Sequence, residues 1–168
     1  IARTEDDPKI PQAGNSAFLV DIPSPGWEVV RDIETMSGGH NHCEIRIENL
    51  RVPHSRMLGE PGQGHMLGQS RLGPARLAHC MRWLGMAKRA LEIAGEYVSK
   101  REAFGHKLIE RESVQMKLGQ ATMAIHTGRL LVMNAAWKLD QGDFARKEVS
   151  MAKVAVADTL HLAVDTAI

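Results

Sequence analysis

The chain has 168 residues, with 21 basic and 20 acidic side chains and a net charge of +1. That balance excludes a dedicated nucleic-acid binder, in which basic residues outnumber acidic ones and cluster. At 43% hydrophobic the chain can bury a sizeable core, so general disorder is excluded too. Aromatics are few, three Phe, three Trp and one Tyr, so the core must be aliphatic and methionine-rich. No apolar run approaches the roughly 20 residues that span a bilayer. Cys43 and Cys80 are too few for a disulfide framework, and no secretory signal is present, which points to a reducing, intracellular setting.

The opening residues run from Ile1 into a polar stretch, Thr4 to Ser16, that Pro8, Pro11 and Gly14 mark as a loop. Three short segments then read as strands: Ala17 to Val20, Trp27 to Ile33 and Cys43 to Leu50. In the last, Cys43, Ile45 and Ile47 alternate with Glu44, Arg46 and Glu48, which predicts one half-buried face. Pro23-Ser24-Pro25-Gly26 is a turn between the first two. From about residue 63 the period becomes helical. Leu77, Cys80, Leu84, Ala87, Leu91, Ala94 and Val98 form one stripe. Val114, Leu118, Ala121, Ile125, Gly128, Val132, Ala135 and Leu139 form a second, and Val149, Ala152, Val156, Thr159, Ala163 and Thr166 a third. Three such stripes predict long antiparallel helices packed side by side. Pro74 is expected to start or kink the first helix, Gly105 and Gly142 to end the first two, and Asp143 to cap the third. The last stripe runs to Ile168 without a stop signal, so the chain reads as a piece of a longer polypeptide.

Several motifs invite chemistry. His40-Asn41-His42-Cys43 looks like a metal cluster, but no second group of ligands completes four, and a turn into a strand outweighs it. Gly59-Glu60-Pro61-Gly62-Gln63-Gly64 lacks the Gly-Lys-Ser/Thr ending of a phosphate loop and is better read as a turn into the first helix. His54, His65, His79, His106, His126 and His161 are scattered singly and default to surface or core-edge positions. Met81, Met116, Met123 and Met133, at helical spacing, default to core filling. Arg101-Glu102-Ala103-Phe104-Gly105 follows a long helix, where an Arg beside an exposed aromatic can grip a phosphate while the ring packs on a flat ligand. A basic residue complementing the helix dipole is the simpler reading of Arg101 alone.

Taken in order, Ile47-Glu48-Asn49-Leu50-Arg51-Val52-Pro53, Leu58 to Gly64, Gly85-Met86-Ala87-Lys88-Arg89-Ala90-Leu91, Arg101 to Gly105 and Ala152-Lys153 resemble the acyl-CoA dehydrogenases, over residues 17–168. Gly68 to Arg76 is similar to the branch of family members ten and eleven. The resemblance implies an α+β multidomain fold, here a partial antiparallel β-barrel followed by an up-down helical bundle. Residues 1–61 would end the middle β-barrel domain, and residues 62–168 would form most of the C-terminal bundle. It implies FAD as cofactor, an acyl-CoA thioester as substrate, electron-transfer flavoprotein as acceptor, and a homodimer or homotetramer. The family reaction is α,β-dehydrogenation, in which a carboxylate takes the α-proton and a hydride leaves the β-carbon for the flavin. Arg101 matches an arginine that reaches the FAD diphosphate of a neighbouring subunit, and Phe104 an aromatic lying against the same cofactor. Glu112 stands where the family often has a glutamine, and its charge puts that contact in doubt. Gly68, Gln69, Ser70 and Arg71 match a segment lining the acyl-CoA site. Ser70 occupies a position where some members carry the catalytic Glu, so the resemblance places no catalytic base in this chain. Turnover and FAD retention are accordingly not expected of residues 1–168 alone. The bacterial cytoplasm, mitochondrial matrix and peroxisome all fit. An acyl-CoA oxidase, a flavin monooxygenase relative, or a non-catalytic helical oligomerisation domain are the competing readings.

Overall fold

In the computed structural model, which describes residues 1–6, 11–36, 38–39 and 42–168, the chain forms two compact units, Ile1–Gln69 and Ser70–Ile168. The first unit is built from small antiparallel sheets. Strand β1 (Ala2–Arg3) pairs with β2 (Asn15–Phe18), which pairs in turn with β5 (Met57–Leu58). Its anchor is Ser16, fully buried, whose hydroxyl lies 2.7 Å from the Thr4 hydroxyl and accepts the Gly62 N–H at 2.9 Å. A buried hydroxyl needs such partners, because leaving it unpaired costs about 1–3 kcal/mol. Of the opening loop, Pro8 lies outside the described residues, and Pro11–Gly14 is a 3-10 turn.

The hairpin of β3 (Trp27–Ile33) and β4 (His42–Ile47) stands apart from that sheet. Its polar face carries the cross-strand pairs Arg31–Glu44 at 2.7 Å and Arg46–Glu28 at 3.2 Å. Trp27, Val29, Ile45 and Ile47 share the other face through the register Trp27↔Ile47 and Val29↔Ile45. Strict alternation would put Arg31 on that apolar face as well. A bulge between Val29 and Arg31 shifts the parity and brings Arg31 opposite Glu44. The expected half-buried face is therefore present in pattern but not in burial: Ile45 and Ile47 are 40% and 55% exposed. Burial of a two-stranded ribbon requires a second layer, and the described residues of this unit place none on it. His40 and Asn41 lie outside the described residues, Cys43 is exposed, and no group of three metal-ligating side chains occurs among the described residues.

Helices α1 (Gly64–Val98), α2 (Glu112–Asp140) and α3 (Arg146–Ala167) follow. α1 begins ten residues before Pro74 and continues through it, so Pro74 neither starts nor ends the helix. The three stripes face one another. Leu77, Cys80 and Leu84 meet Val132, Ala135, Val149, Ala152 and Val156 in a common core, and burial pushes the Cys80 thiol pKa up. At Gly128 a β-carbon would sit 3.1 Å from Leu84 and 3.3 Å from Val156, so the helices approach closely there. Contrary to the expected core filling, Met81, Met116, Met123 and Met133 are 58–66% exposed and lie outside the core of these three helices.

The turn from α2 to α3 differs from expectation in detail. Gly142, at φ +81°, donates to the Leu139 carbonyl while Asp143 N–H reaches back to Lys138, closing α2 in a Schellman arrangement. Asp143 does not cap the first turn of α3. It accepts from the N–H of Ala145, which is itself the N-cap in a left-handed conformation. Lys138 binds Glu148 at 2.7 Å and lies 3.8 Å from Asp143, tying the two helices together. No helix among the described residues is long and apolar enough to cross a membrane.

Candidate functional site

Where α1 ends, the chain makes a compact projection. The Ser99 hydroxyl donates to the Gly95 carbonyl at 2.7 Å, and the Arg101 N–H to Tyr97 at 2.9 Å, which closes the last turn. Two short strands follow, β6 (Glu102–Ala103) and β7 (His106–Lys107), with Glu102 opposite Lys107 and Ala103 opposite His106. The Leu108 N–H closes the base by donating to Arg101 at 2.9 Å. Only Phe104 and Gly105 remain for the turn, at φ +55° and +79°. Positive φ at both positions is the type I′ geometry, which matches the twist of a hairpin and normally selects Asn-Gly. Gly105 is thus a hairpin residue rather than the end of α1.

Phenylalanine is a poor choice for the first position. A non-glycine residue in the left-handed region costs roughly 1–2 kcal/mol. No burial compensates, because the ring is 95% exposed. Strain of this kind at a residue that contributes nothing to the core marks a candidate functional position. At the base of the hairpin, the exposed Arg101 guanidinium has no side-chain partner among the described residues. Arg111, in contrast, is engaged: its Nη2 donates to the Ala103 carbonyl at 3.1 Å and its guanidinium lies 6.0 Å from the Phe104 ring centroid. His106 Nδ1 is 3.2 Å from Glu110. Glu112, exposed, opens α2 immediately after Arg111.

The projection therefore offers an exposed flat ring at its turn and an exposed planar cation at its base. A guanidinium suits a diphosphate, which it can grip with two donors. A ring face suits a flat heterocycle. Arg101, Phe104 and Glu112 all lie in the stretch from the end of α1 to the start of α2. Gly68, Gln69, Ser70 and Arg71 do not: they lie early in α1, Gly68 half-buried and the other three exposed. Arg71 and Val98 are separated by about 40 Å of helix at 1.5 Å per residue. Sequence reasoning missed the hairpin itself and Arg111. The hairpin lacked its usual Asn-Gly signal, and Arg111 acts on a residue seven positions earlier, a spacing no helix or strand rule covers.

Residues 62–168 match the family model described as the acyl-CoA dehydrogenase C-terminal domain. Over its whole length the chain is 40% identical to a Mycobacterium tuberculosis protein named probable acyl-CoA dehydrogenase FadE2, of which it covers 42%. It is 36% identical to acyl-CoA dehydrogenase family member 11 of Rattus norvegicus, again over all of this chain but 22% of that protein. Among solved structures, the acyl-CoA dehydrogenase of Geobacillus kaustophilus aligns with a TM-score of 0.90 at 26% identity, over 98% of this chain and 44% of that one. PigA with FAD and proline aligns with a TM-score of 0.89 at 26% identity, over 94% and 41%. The chain thus spans less than half the length of these relatives. Its fold is that of the same part of these structures, an antiparallel β-region followed by a helical bundle. By the family model that matches most of its length, the chain belongs to the acyl-CoA dehydrogenase family.

Proposed function

We propose that the whole protein is an FAD-dependent acyl-CoA dehydrogenase and that this chain supplies part of its cofactor site through the β6–β7 hairpin. The observation that carries the reading is Phe104, held strained and bare at the turn of the hairpin whose first residues follow Arg101. A flat ring and a fork of donors fit the two chemically distinct parts of FAD, its ring systems and its diphosphate. When bound, FAD supplies the acceptor for the hydride that leaves the β-carbon of the thioester. Arg101 would bind the diphosphate, and Phe104 would cover a ring face and keep water from it. Glu112, one residue beyond Arg111, bears a charge that disfavours a nearby diphosphate, so it is assigned no direct contact.

Gly68, Gln69, Ser70 and Arg71 would line the acyl-CoA site. A serine cannot take an α-proton as a carboxylate does, so Ser70 is assigned no role as base. Arg71 and the hairpin lie at opposite ends of α1, some 40 Å apart. Substrate and cofactor contacts from one copy therefore serve two different sites, which supports a homo-oligomer, a dimer or tetramer, in which the hairpin reaches a neighbour's FAD. Electron-transfer flavoprotein is the acceptor in this reading.

The test is to purify the whole protein, record its visible spectrum, and add acyl-CoA thioesters of graded length without oxygen. Bleaching of an oxidised flavin band by at least one thioester is expected. A colourless protein that binds no added FAD, or a flavin that no thioester reduces, would overturn the proposal.

A further inference from the structure

Phe104 is exposed on almost every side, so burial does not hold its ring in place. One side chain does reach it. The Arg111 guanidinium makes two contacts in different directions: an N–H to the carbonyl of Ala103, the residue before the turn, and its face over the Phe104 ring. Its own backbone is fixed. The Arg111 N–H donates to Leu108 at 3.1 Å, and its carbonyl accepts from Val114 and Gln115 at 3.0 Å, joining it to the first turn of α2. The planar fork thus links a rigid helix start to the backbone just before the strained residue and to that residue's ring. A lysine, with one compact ammonium on a flexible stem, cannot hold both contacts at once.

We infer that Arg111 is a positioning residue, which sets the orientation of the Phe104 ring for the cofactor without itself touching the cofactor. The inference rests on the proposed role of the hairpin in FAD binding. The two arginines divide the work. Arg101 has no side-chain partner among the described residues and is free to meet an anion, whereas the half-buried Arg111 is committed within the hairpin.

A double-mutant cycle on the whole flavoprotein tests this, with FAD dissociation constants read from flavin fluorescence after reconstitution of the apoprotein. Arg111→Ala is expected to weaken FAD roughly three- to fivefold in the parent, no more than loss of the Phe104 ring itself. In a Phe104→Ala background it is expected to add less than about twofold, because the residue through which it acts is gone. Arg111→Lys, which keeps the charge and the aliphatic stem and serves where the alanine variant does not fold, is expected to remain weakened. The ionic-strength dependence of binding should match that of the parent. Equal losses in both backgrounds, or full rescue by lysine, would overturn the inference in favour of a general structural or a direct phosphate role. Weakening by Phe104→Ala and Arg101→Ala with none from Arg111→Ala would overturn the Arg111 role alone. No effect from any of them would remove the cofactor reading, and this inference with it.

Discussion

Phe104→Asn changes only the first turn residue of the β6–β7 hairpin, and the structure assigns its gain and its cost to different properties. Asparagine tolerates the left-handed φ of +55° that phenylalanine resists, which recovers about 1 kcal/mol. The ring contributes almost no burial, being 95% exposed, so its removal leaves no cavity. What is lost is the cation–π contact with Arg111, worth about 0.5 kcal/mol at an exposed site. The net effect on folding is a gain of about 0.5 kcal/mol, or a rise of about 1–2 °C in the Tm of the flavin-free protein. Binding moves the other way. Loss of one ring contact, worth about 1 kcal/mol, should weaken FAD about fivefold. The assays are thermal unfolding by circular dichroism without flavin and FAD titration of the same preparations. A Tm lowered by more than about 3 °C would refute the reasoning, since it would make Phe104 a structural residue. An unchanged FAD affinity would refute the functional half.

Three further outcomes follow from the geometry. Gly128→Ala should be close to neutral, because its methyl, 3.1 Å from a Leu84 methyl, offsets a helix-propensity gain of about 1 kcal/mol. Gly128→Leu should cost about 2–3 kcal/mol in chemical denaturation, and an effect below about 1 kcal/mol would mean the helices are not in tight contact there. The hydrogen bond and charge of Lys138 lower the Glu148 pKa, and Glu148 in turn raises that of Lys138. The stability contributed by Glu148 is therefore fully present above its unfolded value of about 4.3 and lost as pH falls through its lowered folded value. That contributed by Lys138 is present below about 10.4 and lost as pH rises through its raised folded value. Lys138→Met should lower stability between these limits and flatten both flanks of the pH–stability curve, whereas an unaltered acid flank would exclude the pair as its cause. Ala152→Leu, at a fully buried site facing Cys80 and Val132 in the core, should be destabilising by about 1–3 kcal/mol, and a neutral result would mean the core is loosely packed.

The elements most legible in the sequence were those whose pattern is set by burial. Ala121, Gly128, Val132 and Ala135 recur at 3 and 4 on α2, and the structure buries all four. The strand Trp27–Ile33 was readable because it is a short run rich in apolar residues that a Pro/Gly turn precedes. What was not legible depends on contacts rather than on period. The start of α1 carries Gly68, Gly73 and Pro74, poor helix formers that lower any local expectation, yet the helix runs through them. The exposed methionines were misassigned because hydrophobicity does not reveal which face of a helix meets its neighbours. At the candidate site, Arg101 and Phe104 were visible through resemblance, but their geometry was not. The Phe104-Gly105 turn violates the residue preference by which such hairpins are recognised, and its violation is itself the feature that distinguishes the site.

If the end of α1 reaches FAD, the affinity of the whole protein for FAD must fall when Arg101 is replaced by alanine. Removing a charge-assisted contact of about 2 kcal/mol should weaken FAD about thirtyfold, with the circular dichroism spectrum unchanged because Arg101 has no side-chain partner among the described residues to lose. Flavin bound as tightly as in the parent would contradict the account and leave Arg101 as a solvated residue at the end of a helix.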